Sequence, residues 1–386
     1  MPPRILFITT TLSVGGAEKQ LSRLLSRLHG SVIEAGVVSL LSRGPVRSEI
    51  ERLGVQVWDL GLENPLRLPL ALPRLAAIVR RFPPNVLQGW MYHGNLAALW
   101  AKYWVSNACL IFGIRHSLYD LRREKSLTRQ VIRWNAAASH RVCAIVYNSE
   151  TAQAQHKTFG FDREKGVVIP NGFDTNLFYP DESYRQSVRK ELGIPLDAPL
   201  IGFMARYHPI KGHDIFLQAA ELLAARRSDV HFVLAGHGVT GDRPPFSECA
   251  RRPLLRDRLH LLGERMDMPR LTAALDIASS SSLGEAFPNV IGEAMSCCVP
   301  CVATDVGDVR NIIGETGVVV PPGDARALSA GWEKMLALSS VQRAALGRRA
   351  RRRVVSKFGL DAMANQYAAL YRRVIRSYLK NASAGS

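Results

Sequence analysis

Residues 284–295 read GEAFPNVIGEAM, with two carboxylates, Glu285 and Glu293, eight positions apart and Pro288 between them. Such a pair can be an acid and a base, two rungs of one helix, or two separate contacts to one ligand. The flanking residues decide. ALDIASSSS reads as a strand and LGEAFPN as the loop at its C-terminal end. Proline suits the first turn of a helix, where its missing N–H is no loss. Pro288 therefore predicts a helix over 289–297, ahead of the strand VPCVATD. Glu285 then lies in the loop and Glu293 in the helix, so they do not share one face. From the loop Glu285 can meet sugar hydroxyls, while the amides near 287–290 can receive phosphate oxygens. Glu293 can accept hydrogen bonds from a ribose, as acidic residues do in nucleotide-binding folds.

Further candidates surround this stretch. GFMARYHPIKGHD (202–214) places Arg206 and Lys211 in a loop after a strand, where parallel sheets collect ligands. Two fixed cations there can neutralise a diphosphate in place of a metal ion, although two solvated loop cations would read the same way. TTLSVGGAEKQ carries Gly15-Gly16 between the first strand and first helix, allowing close backbone approach or simply tight packing. IFGIRHSLYD puts His116 just past a strand end, and QGWMYHGNL puts His93 at the end of the preceding strand. Arg115 and Lys125 are candidates for contact with an anionic acceptor. Cys298-x-x-Cys301 has no second CxxC partner, and no Asp-x-Asp triplet occurs. No metal and no cofactor are therefore expected.

These residues need elements to hold them. Apolar runs RILFITT, EAGVVSL, VQVWDL, NVLQGW, ACLIFGIR and RVCAIVYNS alternate with helical segments, and PLIGFMAR, HFVLAG, RLHLLG, DIASSS, PCVATD and GVVVP form a second series. Strands buried on both sides and separated by helices imply parallel sheets, here two of them in an α/β chain. The break falls in VVIPNGFDTNLFYPDESY (167–184), giving expected domains over 1–170 and 171–360. A helix over 361–386 follows, with NASAGS expected to fray.

The 386 residues carry a net charge of +17, of which residues 1–165 contribute +11 from 22 Lys+Arg against 11 Asp+Glu. That bias favours anionic partners. Nucleic acid is not expected, because no stacking, zinc-finger or helix-turn-helix signal accompanies the charge. LRLPLALPRLAAIVRRF (66–82), with Arg67, Arg74, Arg80 and Arg81, fits either an element lying on an anionic membrane surface or a packed amphipathic helix with a basic face. No signal segment, spanning run or disulfide pattern is read. The expected location is cytoplasmic, peripheral on the inner membrane face if 66–82 docks there.

Taken together, GEAFPNVIGEAM resembles the E-x7-E motif of retaining glycosyltransferases of the GT-B fold, family 4 (group 1). GGAE (15–18), NS (148–149), VIPNGFD (168–174), ARYHPIKG (205–212), LAGHG (234–238), LLGER (261–265) and VPCVATDVGDVRNII (299–313) follow in the order that family shows. The resemblance implies two Rossmann-like domains facing across a cleft, the first binding acceptor and the second a nucleotide sugar, with the last helix crossing back to the first. It implies that Arg206 and Lys211 hold the donor diphosphate and Glu293 its ribose. Glu285 and the amides of Phe287, Asn289 and Val290 would serve sugar and phosphate, Gly263 and Arg265 the nucleobase, and Gly16 the diphosphate. It also implies a cleft histidine, for which His116 is the choice and His93 an acceptor-side alternative. The implied activity is metal-independent, retaining transfer from a UDP-sugar to a glycan or lipid-linked acceptor in polysaccharide or cell-surface glycan synthesis. A sugar-nucleotide epimerase and a non-catalytic binding protein are the alternatives. Two departures stand out: Ala286 and Cys298 occupy positions where many relatives carry glycine.

Overall fold

The computed structural model describes residues 1–13, 15–42, 44–64, 68–119, 121 and 125–384. Arg67, one of the cations of the candidate membrane element, lies outside them. The chain divides into two compact units, one of residues 1–172 with the segment from Leu360 onward, the other Phe173–Gly359.

In the first unit the strands are apolar runs that a parallel sheet buries on both faces. β1 (Arg4–Thr9) leads through α1 (Gly16–Leu28) to β2 (Glu34–Ser39), and α2 (Pro45–Glu51) leads to β3 (Gln56–Asp59). α3 (Leu68–Arg81), β4 (Val86–Trp90), α4 (Met91–Ala101) and β5 (Cys109–Ile114) follow. Then come α5 (Ser126–Ala138), β6 (Ala144–Tyr147), α6 (Glu150–Phe159) and β7 (Gly166–Val168). All seven strands pair in parallel, in the order β3-β2-β1-β4-β5-β6-β7. Ser149 caps α6 by accepting the Ala152 N–H at 3.0 Å, and Gly160 ends it at φ 114°.

The second unit repeats the alternation. α7 (Glu182–Leu192), β8 (Leu200–Met204), α8 (His213–Ala224), β9 (His231–Ala235), α9 (Phe246–Ala250) and β10 (Leu259–Leu261) form its first half. α10 (Met268–Ala273), β11 (Ile277–Ser280), α11 (Asn289–Ser296), β12 (Cys301–Thr304), α12 (Val309–Ile313) and β13 (Val318–Val320) form its second. α13 (Ala325–Leu336) and α14 (Ser340–Phe358) close it. Its six parallel strands run β10-β9-β8-β11-β12-β13, with an apolar core on each face. Both sheets thus have the doubly wound order of a Rossmann-like domain, in which β1 and β8 mark the switch points where ligand crevices form.

α15 (Leu360–Ala384) returns to the first unit and packs on α1. Its Met363, Tyr367, Leu370 and Tyr371 join the core formed by β1, β2 and α1. Gly172 is clasped by Gln20, whose side-chain amide donates to its carbonyl at 3.0 Å while Oε1 accepts its N–H at 3.1 Å.

Three local expectations change. The sequence places only an interdomain break at 167–184, whereas Gly166–Val168 forms β7, a short edge strand with half-buried residues. β3 is likewise an edge strand and not buried on both sides. The final helix continues through Ala384 where fraying is expected; 385–386 lie outside the described residues.

Tyr367 is fully buried and its hydroxyl accepts from Arg115 Nη2 at 2.6 Å. Tyr367→Ala should destabilise the first unit by about 3–5 kcal/mol, the usual cost of removing a buried aromatic ring. Tyr367→Phe should cost about 1–3 kcal/mol through the lost acceptor alone. Urea unfolding followed by circular dichroism measures both.

Candidate functional site

In the second unit the C-terminal ends of β8 and β11 lie side by side, and the loops that follow are tied together. Leu283 N–H donates to the Ile210 carbonyl at 2.7 Å, and Ser281 Oγ donates to the Gly212 carbonyl at 2.8 Å. Gly212 has φ +64°, and a Cβ there would fall 2.3 Å from the Ser281 carbonyl oxygen. The position therefore needs glycine both for its left-handed backbone and for space. This tie brings Lys211 to Glu285: Nζ lies 2.5 Å from Oε1, and Ser282 Oγ donates to the same oxygen at 2.8 Å. Both side chains are mostly shielded, at 23% and 14% exposure, so the pair is electrostatically stronger than a surface ion pair.

Two further close approaches complete the edge. Gly236 follows β9, and a Cβ on it would sit 2.1 Å from the Ala205 carbonyl oxygen and 2.7 Å from Arg206 N. Tyr207 N–H donates to the His237 carbonyl at 2.8 Å, holding the Arg206 loop against the 236–238 loop. Arg206 itself is exposed there. On the other side Gly307 has φ +55°, and a Cβ on it would sit 2.5 Å from the carbonyl oxygens of both Glu285 and Ala286. Asp308 N–H then donates to the Ala286 carbonyl at 3.1 Å. His213 supports the Arg206 loop from below, its Nε2 3.3 Å from the Ala205 carbonyl. Burial pushes His213 down to about 4, so it is neutral at physiological pH.

α11 starts at Asn289, with Pro288 as its N-cap and not within the first turn as the sequence suggests. The amides of Asn289 and Val290 open the helix and lack intrahelical acceptors by construction. Phe287 is buried and stacked on Phe173 at 5.9 Å, so its ring is core and only its backbone serves the edge. Glu293 lies within α11 and, with Met204, Thr272 and Val290, lines a small crevice beside the end of β8. The carboxylates thus stand in loop and helix respectively, and one of them has the cation of the neighbouring loop as its partner.

The departure from glycine at Cys298 has a physical answer. Cys298 itself takes the left-handed conformation, φ +59°, after α11 ends. Arg351 of α14 donates to the terminal Ser296 carbonyl, and to those of Thr175 and Phe178 at 3.1 and 3.2 Å. The helix stop is made by a strained cysteine and a borrowed guanidinium. Burial raises the thiols of Cys297, Cys298 and Cys301, and among the described residues no cluster of three metal-ligating side chains occurs.

Gly263 is left-handed at φ +62° and binds the β9 loop, donating to Val239 O at 2.9 Å and accepting from Gly236 N at 2.7 Å. Arg265 is placed otherwise than expected. Its guanidinium spans Asp267 at 2.8 Å and Glu191 at 2.7 Å, in a network completed by Arg270. That loop can offer a base its backbone, but the Arg265 side chain is committed to joining α7 and α10.

In the first unit Arg115 also departs from expectation. It is buried, lies 3.9 Å over the Trp90 ring, and donates to Asn171 Oδ1 and Tyr367 OH at 2.5 and 2.6 Å. It is a structural strut and not an acceptor contact. His116, half-buried, meets the edge of the Tyr92 ring at 6.3 Å, and Tyr92 OH is 2.7 Å from His156 Nε2. His156, which the sequence reading missed, is held neutral by burial, at about 4. His93 is the third residue of α4 rather than a strand-end residue, and burial lowers its pKa. Lys125 is exposed at the N-cap of α5. Gly16 begins α1, but Glu18 is folded over that helix start: a Cβ on Gly15 would meet its Oε2 at 2.2 Å.

The comparisons with known proteins bear on the family and the fold. The profile of "Glycosyltransferase Family 4" matches residues 14–177, and that of "Glycosyl transferases group 1" matches 198–337. A D-inositol 3-phosphate glycosyltransferase of Kineococcus radiotolerans is 33% identical over 237 residues, 56% of this chain and 54% of the relative. The match thus spans about half the relative's length. The protein of the same name from Corynebacterium urealyticum is 27% identical over 85% of this chain and 84% of its own. The crystal structure of Anabaena Alr3699/HepE in complex with UDP superposes with a TM-score of 0.83 at 22% identity, covering 96% of this chain and 100% of that one. At that identity it speaks for the fold alone.

Gly212→Ala places a methyl group against the Ser281 carbonyl in a backbone region that disfavours it. The variant should lose about 1–3 kcal/mol of stability. Thermal unfolding checks this, and the same variant should misplace Lys211 from Glu285.

Proposed function

Because the chain belongs to the group 1 glycosyltransferases of family 4, we propose that it transfers a sugar from a UDP-linked donor to a glycan or lipid-linked acceptor. The observation that carries this reading is the Lys211–Glu285 pair held at the ligand-collecting edge of the second sheet. UDP as the carrier is supported by the similar fold of a protein crystallised with it. All six cysteines are free thiols, which suits a cytoplasmic enzyme of polysaccharide or cell-surface glycan synthesis.

When the donor bond breaks, negative charge grows on the leaving diphosphate. Arg206, Lys211 and the opening amides of α11 are preorganised donors for that charge, which is where electrostatic stabilisation is most effective. Lys211 reaches the diphosphate already bound to Glu285, so the carboxylate fixes the ammonium's position and can also hold a donor-sugar hydroxyl. Glu293 takes the ribose. We infer retention of anomeric configuration by departure and attack on one face, with a phosphate oxygen accepting the acceptor's proton. His116 is the histidine that the first unit contributes to this scheme.

Glu285→Gln should lower kcat about 100-fold, the scale of losing one transition-state contact, while leaving UDP binding unchanged or tighter because Lys211 is released. Glu293→Ala should instead weaken UDP binding about 10- to 100-fold through lost hydrogen bonds. Calorimetric titration with UDP and steady-state kinetics separate these effects, and equal losses of both quantities in both variants would refute the division of roles. Adding EDTA should leave turnover unchanged; activity lost to chelator and restored by Mg²⁺ or Mn²⁺ would overturn metal independence. NMR of the product reads the anomeric configuration. Interconversion of UDP-sugars without acceptor would identify an epimerase.

A further inference from the structure

Helix α4 is turned inside out relative to an ordinary surface helix. It carries no charged residue, and the face it presses on the sheet is made of Tyr92, Gly94, Asn95, Ala98 and Ala101. Gly94 packs so closely that a Cβ would lie 2.2 Å from the Ile8 carbonyl of β1. Apart from Tyr92, the large side chains therefore lie off the face pressed on the sheet. Leu96 and Leu99 are only half-buried, Trp100 is 51% exposed, and Tyr103 in the turn that follows is 76% exposed. A helix normally buries its large apolar residues and presents polar ones to water. Here the arrangement is reversed.

The neighbours extend this surface and give it a charge. α4 lies against both α3 and α5. α5 exposes Leu127 (66%) and Trp134 (50%), two turns apart on one stripe, with Arg133 beside Trp134. α3 exposes Leu70 (73%), Arg74, Ala77 and Arg81 on another. Arg74 approaches Asp59 at 3.9 Å, and α3, α4 and α5 contain no Asp or Glu of their own. The three helices themselves carry Arg74, Arg80, Arg81, Arg129 and Arg133, so they contribute +5 of the chain's +17.

We propose that the α3–α4–α5 face docks on an anionic phospholipid surface, with Trp100, Tyr103 and Trp134 at the headgroup level. Tryptophan and tyrosine prefer that depth because each has an apolar ring and a polar edge, and neighbouring Lys and Arg gain from anionic headgroups. A second copy of the chain is the wrong occupant, since two faces of the same positive charge repel. Among the described residues no helix is long and apolar enough to cross a membrane, so the contact is peripheral. The docking element is not the 66–82 segment alone; its aromatic centre is α4. The inference does not depend on the donor or its chemistry.

The test is co-sedimentation of the full chain with vesicles of phosphatidylcholine alone or with one part in three phosphatidylglycerol. Binding to the anionic vesicles should be at least about tenfold stronger and should weaken as salt is raised. Trp100→Ser with Tyr103→Ser should reduce it about tenfold or more, by loss of interfacial aromatic area, without moving the thermal unfolding midpoint. Arg129→Gln with Arg133→Gln should reduce anionic binding and spare the weak neutral binding. Equal binding to both vesicles, or full binding by the serine variant, would overturn the proposal. So would self-association abolished by the serine variant with no vesicle binding. UDP binding by the same preparations reads the donor assignment separately.

Discussion

The second unit's chemistry rests on backbone meeting backbone where no side chain can intervene. At Gly212, Gly236 and Gly307 the loops after three different strands approach until a single Cβ would overlap a carbonyl oxygen. Parallel strands bring their C-terminal ends to one edge, but the loops would splay without these contacts. Because they do not, a cation from one loop and a carboxylate from another are held at hydrogen-bond distance. Ser281, Ser282 and Thr304 complete the tie through side-chain hydroxyls, Thr304 Oγ1 donating to the Ser282 carbonyl at 2.6 Å. Satisfying buried backbone groups in this way makes the edge rigid as well as close.

The first unit puts a cation to the opposite use. Arg115 follows β5 as Arg206 follows β8, at the end of a strand where a ligand contact is expected. It is enclosed by the Trp90 face, the Tyr367 hydroxyl and Asn171, while the Trp90 indole N–H donates to the Ala17 carbonyl at 2.9 Å. The guanidinium thereby joins α1, β4, β5 and α15. Position at a strand end marks where a ligand can bind; the surrounding side chains determine whether a given residue is available for it.

Most strands were legible in the sequence because a parallel sheet demands long uninterrupted apolar runs. The start of α11 was legible because proline has few places to go, and the placement of Glu285 in loop and Glu293 in helix followed. β7 was not, being three residues long and half-exposed at a sheet edge. Arg115 was misread because its decisive partner, Tyr367, is 252 positions away in sequence. Arg265 was misread for a related reason: its carboxylates come from its own loop and from α7, and motif order says nothing about which way a guanidinium turns. Gly212, Gly236 and Gly307 were visible as letters in quoted motifs. Only a structure shows what each would collide with.

Helix α15 gives the chain an order of assembly that its numbering conceals. The core shared by α1, the first sheet and Tyr367 cannot close until residues synthesised after the whole of Phe173–Gly359 have emerged. On the ribosome the second unit has all its residues first, and its two ends already pair, Phe173 N–H to the Phe358 carbonyl at 2.8 Å. Domains ordinarily fold as they appear, N-terminal first. Here the domain begun first receives the last of its residues only after its neighbour's chain is complete.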